Sequence, residues 1–354
     1  MKKSAKMMSM ILAGAMAVSL TACGGGNADQ KAEPSKTEAA GAAEPSAESG
    51  EEAAKKQEET KEAAAEGEVY QIGVLQLVQH TALDAANEGF IAALDEAGIP
   101  YEADQQNASG DQSACQTVAS KFANEKKDLI LAIATPAAQA VAGSVSDAPV
   151  LVTCVTDPAE SGLVESNDKP GANVTGTSDL TPVKEQIDLL KQLVPDAKTV
   201  GVLYCSAESN SKIQADMAKE ALAAVGMEGK DYTVSSSNEI QTVVQSMAGS
   251  VDAIYAPTDN VIAAGMATVG MVAADNKIPV ICGEAGMVNQ GGLATYGIDY
   301  YELGYMTGQQ AVKILTEGAD PAEMPIEYLP AEKCELTVNQ ENADALGIDV
   351  SGLN

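Results

Sequence analysis

Tryptophan and arginine are absent from the 354 residues, and histidine and phenylalanine nearly so: His80, Phe90 and Phe122 are all there are. Each shortage excludes something. With no guanidinium, bidentate clamping of phosphate or carboxylate is unavailable, and a net charge of −30 repels a polyanion, so nucleic acid is excluded as a partner. One His cannot complete a usual Cys/His zinc site. The five cysteines beyond Cys23 (Cys115, Cys154, Cys205, Cys282 and Cys334) form no CxxC pair, so no metal is expected. Their odd number forbids complete internal pairing, and the positions of Cys154, Cys205 and Cys282 in or beside apolar strands point to buried free thiols. No P-loop or GxGxxG opens a helix, and Gly283 to Gly292 lacks the Lys-Ser/Thr of a nucleotide loop, so no cofactor is expected. No nucleophile–base pair follows from the spacing either, and the expectation is a binder and not an enzyme. With so few aromatic residues the cores fall to Val, Ile, Leu, Ala and Met, which suits parallel strands covered on both faces.

The N-terminus reads as an address. Lys2, Lys3 and Lys6 precede an apolar run from Met7 to Leu20, too short to span a bilayer, as in a signal peptide over residues 1–22. Leu20-Thr21-Ala22-Cys23 resembles the bacterial lipobox, which implies acylation of Cys23 and a lipid anchor in the membrane. Residues 23–68 are mostly Ala, Glu, Ser, Lys, Gly and Pro, with twelve acids, five lysines and no apolar period. That stretch cannot bury enough to offset its chain entropy and reads as a disordered acidic tether.

From residue 69 onward, apolar runs alternate with amphipathic stretches, and the second half repeats the first. Val200 echoes Ile72, Asp252 echoes Asp128 and Pro279 echoes Pro149, at offsets of 128, 124 and 130 residues. Three echoes in one order predict two lobes of one topology. Strand–helix alternation at this spacing predicts an α/β protein with two doubly wound parallel-sheet lobes joined by a hinge. Ligands of such sheets sit beyond the carboxyl ends of the strands.

The unusual polar residues lie at those ends. Gln79, His80, Thr81 and Asp84 follow the first strand; Thr135 and Ala137 follow the second; Thr156 and Asp157 follow the third; Asp179 stands where the chain leaves the first lobe. In the second lobe the counterparts are Glu208, Ser209 and Asn210, then Thr258, Asp259 and Asn260, then Glu284, with Asp299 and Tyr300 where the chain crosses back. Taken singly, Ser, Thr, Asp and Asn at such junctions are first of all helix caps, and a lone His is more often structural. Their convergence from both lobes is what points to ligand binding. Without Arg, a guest carboxylate would rest on hydroxyls, backbone N–H groups and helix dipoles, about 0.3–1 kcal/mol for each helix end. Several Asp favour a guest with an ammonium group. An amino acid meets both demands. Sugars need stacking faces as well, and only Tyr204, Tyr255, Tyr296, Tyr300 and Tyr301 are available.

Several stretches together resemble one lipoprotein family. They are Ile72-Gly73-Val74-Leu75-Gln76 with His80, Ala132 to Gln139, Val155-Thr156-Asp157-Pro158, Asn173 to Asp179, Pro257-Thr258-Asp259-Asn260, and Tyr296 to Tyr301 with Leu303-Gly304. The family is the ABC-transporter substrate-binding lipoproteins whose studied members bind tryptophan or tyrosine; the likeness runs from Val69 to Leu329, with Cys115 and Cys205 as departures. The resemblance implies a type I periplasmic-binding-protein fold with three hinge crossings, one lobe at 69–180 with 299–326 and the other at 181–298 with 327–354. It also implies an extracytoplasmic location, permease and ATPase partners, and an aromatic amino acid as cargo. A sensor that presents its solute to a membrane receptor would look the same in sequence.

Overall fold

The computed structural model describes residues 69–353; the expected signal segment, the lipidation site Cys23 and the tether lie outside the described residues. Strands β1 (Tyr70–Gln76), β2 (Tyr101–Asn107), β3 (Leu129–Ile133), β4 (Val150–Val155) and β5 (Val174–Ser178) form one parallel sheet in the order β2-β1-β3-β4-β5. Strands β6 (Thr199–Cys205), β7 (Glu228–Val234), β8 (Ala253–Ala256), β9 (Val280–Cys282) and β10 (Ala294–Gly297) repeat that order in a second sheet. Two short strands finish the edges: β11 (Glu327–Tyr328) lies parallel on β5, and β12 (Glu335–Val338) runs antiparallel to β10. The three echoes of the sequence are the pairs β1/β6, β3/β8 and β4/β9.

Helices α1 (Thr81–Glu96), α2 (Gln112–Glu125) and α3 (Thr135–Ala142) alternate with the strands of the first sheet. Those of the second half are α4 (Val183–Leu193), α5 (Ser209–Ala224), α6 (Ile240–Met247), α7 (Asn260–Ala264), α8 (Met266–Asp275) and α9 (Ala285–Asn289). The last two are α10 (Tyr300–Glu317) and α11 (Gln340–Leu346). Among the described residues, no helix is long and apolar enough to cross a membrane.

The pleat explains the cores. Every residue of β3, β4 and β5 is buried, as in a sheet covered on both faces. In β6, Val200, Val202 and Tyr204 join one apolar cluster while Leu203 and Cys205 join another, so alternate side chains feed opposite faces of the second sheet. Each fully buried Leu, Ile or Val contributes about 1.5–3 kcal/mol. Helix α10 is fastened to α1 through glycine. A Cβ on Gly304 would collide with the backbone of Ala86, and one on Gly89 with the backbone of Tyr301. The chain thus passes between sheets after Ser178, after Gly297 and after Tyr328, so the first sheet keeps Glu327 and Tyr328, two residues past the boundary expected at 326.

Candidate ligand cleft

The carboxyl ends of the two sheets meet across a seam. His80 at the end of the β1 loop and Asn260 at the start of α7 approach across it, Nε2 to Oδ1 at 3.3 Å. Three glutamines cross elsewhere: Gln112 Nε2 donates to Ala207 O at 3.3 Å, Gln139 Nε2 to Ser209 Oγ at 3.4 Å, and Gln214 Nε2 to Thr156 Oγ1 at 2.8 Å. Gln214 also donates to Thr258 Oγ1, at 2.5 Å.

Inside the seam lies a small cavity walled by His80, Ala82, Leu83, Cys154 and Asp179 from the first half and the α10 start, Tyr300. From the second half come Asn210, Thr258, Asp259, Asn260, Ala263 and Glu284. About 10 Å³ is free there, room for about one water. An outer chamber of about 580 Å³ adjoins it along the same seam, bordered by Leu77, Val78, Pro136 and Val261 on its apolar side and by Glu208, Asn260 and Ser235 to Asn238 on its polar side.

Two strained residues stand at this edge. Ala134, at the end of β3, has φ 84° and ψ 150°, a region that is all but reserved for glycine. Cys154 has φ 57° within an irregularity between Val152 and Val155 that breaks the β4–β5 register, and its side chain borders the cavity. Strain of this kind is retained where surrounding structure over-determines it, and it clusters at functional sites.

Four buried carboxyl groups gather here, and among the described residues no lysine lines either chamber: Asp179, Glu208, Asp259 and Glu284 are 5, 3, 1 and 4 % exposed. Two are spent on structure. Asp259 accepts from Cys205 N at 2.5 Å and from Ile262 N at 2.8 Å, tying the end of β6 to the start of α7. Glu284 caps α9, accepting from Gly286 N at 2.5 Å and Met287 N at 2.8 Å. Asp179 instead accepts from Tyr300 Oη at 3.2 Å on Oδ2, with the Thr156 hydroxyl and its own N–H also favouring its charge, and Oδ1 has no hydrogen-bond partner. Glu208 takes the side-chain amides of Asn260 (2.6 Å) and Asn210 (3.1 Å) on Oε2 and leaves Oε1 without a partner.

Burial governs the titration of all four. It pushes Asp179 up to about 6 against the opposing Tyr300 hydroxyl. It pushes Glu284 up to about 7 against the two N–H groups it caps. Glu208 and Asp259 are both raised by burial, and the charge of Asp259 raises Glu208 further. Backbone N–H groups stabilise charge on Asp259, so of that pair Glu208 is the one that holds a proton. Burial lowers His80, outweighing Asn260 and Asp84, and keeps its imidazole neutral at neutral pH.

Of the residues singled out from sequence, His80, Asp179, Asn210, Thr258, Asp259, Asn260, Glu284 and Tyr300 come together in the inner cavity, and Glu208 borders the outer chamber. Others do not reach it. Asp299 is exposed and caps α10 by accepting from Glu302 N; Gln79, Thr81 and Ser209 are exposed as well. Asp157 organises its own turn, accepting from Ala159 N, Glu160 N and the Asn167 amide. Asp84 is engaged by Gln76 Nε2 at 2.7 Å. Thr135 and Ala137 are buried at the start of α3, with Thr135 Oγ1 unpartnered, and Thr156 is held by Gln214. The tyrosines offer little stacking face: Tyr204 and Tyr255 lie in the core, Tyr296 is half-buried, Tyr301 points to solvent, and of these five only Tyr300 borders the cavity. Gln214 and Cys154 were not foreseen. Nothing in the sequence marks an interior helical Gln as a bridge or a cysteine as a cavity wall.

Residues 71–352 match the ABC transporter substrate binding protein family. A tyrosine-binding protein of Clostridioides difficile is 43% identical over 279 residues, covering 78% of this chain and 80% of the relative. A domain from Streptococcus pneumoniae solved in complex with L-Trp superposes with a TM-score of 0.78 at 38% identity, over 80% of this chain and 97% of that one. A ligand-free, open substrate binding protein with adhesive properties from Clostridium difficile gives a TM-score of 0.62 at 43% identity, over 81% and 97% of the two chains. The matched residues thus superpose more closely on the L-Trp complex than on the open structure, although the open one is nearer in sequence. A duplicated parallel sheet, three crossings, a seam closed by cross-lobe hydrogen bonds and a match over nearly the whole body lead to one assignment: the chain belongs to the ABC transporter substrate-binding proteins.

Proposed function

We propose that this protein captures an aromatic L-amino acid, tyrosine or tryptophan, in the cleft and delivers it to the permease and ATPase of an ABC importer. The observation that carries the reading is a pair of buried acceptors, Asp179 Oδ1 and Asn210 Oδ1, which face one cavity from opposite lobes without partners. A buried acceptor left unmade costs about 1–3 kcal/mol, and a guest ammonium supplies what both lack. The guest carboxylate lies on the first turn of α1, whose cap residue His80 makes no side-chain bond to it and whose Ala82 and Leu83 line the cavity. The ring extends toward Leu77, Val78, Pro136 and Val261 of the outer chamber. Such a guest exceeds the free inner volume, so it enters as the lobes part and is enclosed when they close.

The names of the relatives support the aromatic class: one is called tyrosine-binding and another holds L-Trp. The short signal-like run and Leu20-Thr21-Ala22-Cys23 support an extracytoplasmic protein anchored by lipid on Cys23, with residues 24–68 as the spacer. Melting curves of ligand-stripped protein against the twenty amino acids, sugars and nucleosides test the reading. L-tyrosine or L-tryptophan raises the midpoint, by about 2.7 kcal/mol of added stability at a hundredfold excess over Kd. A flat response to every amino acid refutes it.

A further inference from the structure

The two free acceptors of the inner cavity are mounted on different halves. Asn210 is fixed by the second: its amide donates to Glu208 Oε2 at 3.1 Å, Ser211 Oγ at 3.2 Å and Thr258 O at 3.4 Å. Asp179 is fixed by the first. It follows the last residue of β5, its N–H donates to Val155 O at 3.3 Å, and its Oδ2 accepts from the Tyr300 hydroxyl at 3.2 Å. Tyr300 is anchored on the same side, packed into the core of the first sheet as the opening residue of α10, the helix that glycine locks against α1. Among the described residues no side chain of the second half hydrogen-bonds to Asp179 or Tyr300. A phenol has one proton to give, and here it goes to Oδ2, which leaves Oδ1 as the free oxygen of a carboxyl that borders the cavity.

Resting on the cleft reading above, we propose that Tyr300 is a positioning residue: its hydroxyl aims Asp179, so the first lobe alone carries a finished ammonium seat, capture begins there, and Asn210 joins as the lobes close. An acceptor already held in its bound orientation spends less of the binding energy on ordering. The hydroxyl also favours charge on Asp179 against the burial that opposes it, as does the Thr156 hydroxyl. The other titratable groups around the pair are Cys154 from β4, His80 before α1, Asp259 before α7 and Glu284 before α9, and none of them is a cation that could replace the hydroxyl. Removing the hydroxyl therefore makes Asp179 easier to protonate. The loss of affinity on acidification then sets in at higher pH, by about one pH unit for a hydrogen bond that is worth tenfold.

The chain has no tryptophan, so the indole fluorescence of added L-tryptophan follows binding in stopped-flow mixing with the full chain stripped of ligand, and calorimetric titration with L-tyrosine gives Kd across pH. Tyr300→Phe is expected to weaken binding about tenfold, mainly through slower association, and to move the acid fall in affinity to higher pH. In an Asp179→Asn background the same change costs less than about twofold, because the group it positions is gone. Asn210→Ala speeds dissociation about tenfold and leaves association within about threefold. An equal loss from Tyr300→Phe in both backgrounds, or an unmoved pH profile, makes Tyr300 a space-filler and overturns the inference while the proposed function stands. An effect of Tyr300→Phe confined to dissociation overturns the order of capture, as does an Asn210→Ala protein that associates as slowly as Tyr300→Phe. Wild-type protein that binds neither amino acid overturns the inference and the amino-acid reading together.

Discussion

Replacing Asp179 by Asn changes stability and binding in opposite directions, and both sizes follow from the site. The substitution keeps the shape and leaves an oxygen to accept from Tyr300, whose hydroxyl lies 3.2 Å from Asp179 Oδ2. In the wild type, burial lifts the carboxyl from an ordinary 3.8 to about 6, a difference worth about 3 kcal/mol. A raised carboxyl favours the folded protein while protonated and loses that advantage as pH climbs through about 6, so above pH 7 the ionised group carries the full penalty. The neutral amide escapes that penalty. Asp179→Asn therefore stabilises the unliganded protein by up to about 3 kcal/mol at pH 7.5, and by about half that at pH 5, where the native carboxyl is already largely protonated. Binding moves the other way. Loss of one buried hydrogen bond to a charged group costs about 1.5–3 kcal/mol, or roughly 10- to 150-fold in Kd for L-tyrosine. Denaturant unfolding at the two pH values, with calorimetric titration of L-tyrosine, measures both. A variant that is less stable than wild type at pH 7.5, or that binds L-tyrosine unchanged, refutes the reasoning.

Because the guest ammonium requires Asp179 ionised, affinity falls by about tenfold between pH 7.5 and pH 5 and binding releases a proton near pH 6; calorimetry in buffers of different ionisation heat detects the release, and a constant Kd contradicts it. Gln214→Ala removes the bridge from α5 to Thr156, so about 1–2 kcal/mol of closure is lost. The ligand then dissociates roughly tenfold faster, and small-angle scattering of the unliganded chain shows a larger radius of gyration. Ala134→Gly relieves the backbone at φ 84° and, after the entropy of glycine is set against it, stabilises by about 1 kcal/mol, seen as a midpoint about 2 °C higher.

Most of the fold was legible because burial leaves a signature. β1, β3, β4, β6, β8 and β9 are central strands written mostly in Val, Ile, Leu and Ala, and their order repeats at nearly one offset. β2 and β7 were not legible. They are edge strands, partly exposed, and Tyr-Glu-Ala-Asp-Gln-Gln-Asn over Tyr101–Asn107 shows no apolar run. At the candidate site, chain position picked out turns that border the cavity but not the direction of each side chain. Asp259, Glu284 and Asp299 all stand just before helices and all cap them, yet the first two border the cavity while Asp299 faces solvent. That difference is set by how each helix meets the opposite lobe, which no local pattern encodes. Gln214 is a polar residue on an amphipathic helix, buried only because Thr156 and Thr258 close over it. The positive φ of Ala134 and Cys154 is equally silent, since neither residue type advertises that conformation.

The most direct test of the cleft is a crystal structure of the chain grown with L-tyrosine or L-tryptophan. The ammonium is expected between Asp179 and Asn210, the carboxylate on the first turn of α1, and the ring toward Leu77 and Val261. Ligand density on an outer face of either lobe, with the seam between the sheets empty, contradicts that placement and the cleft with it.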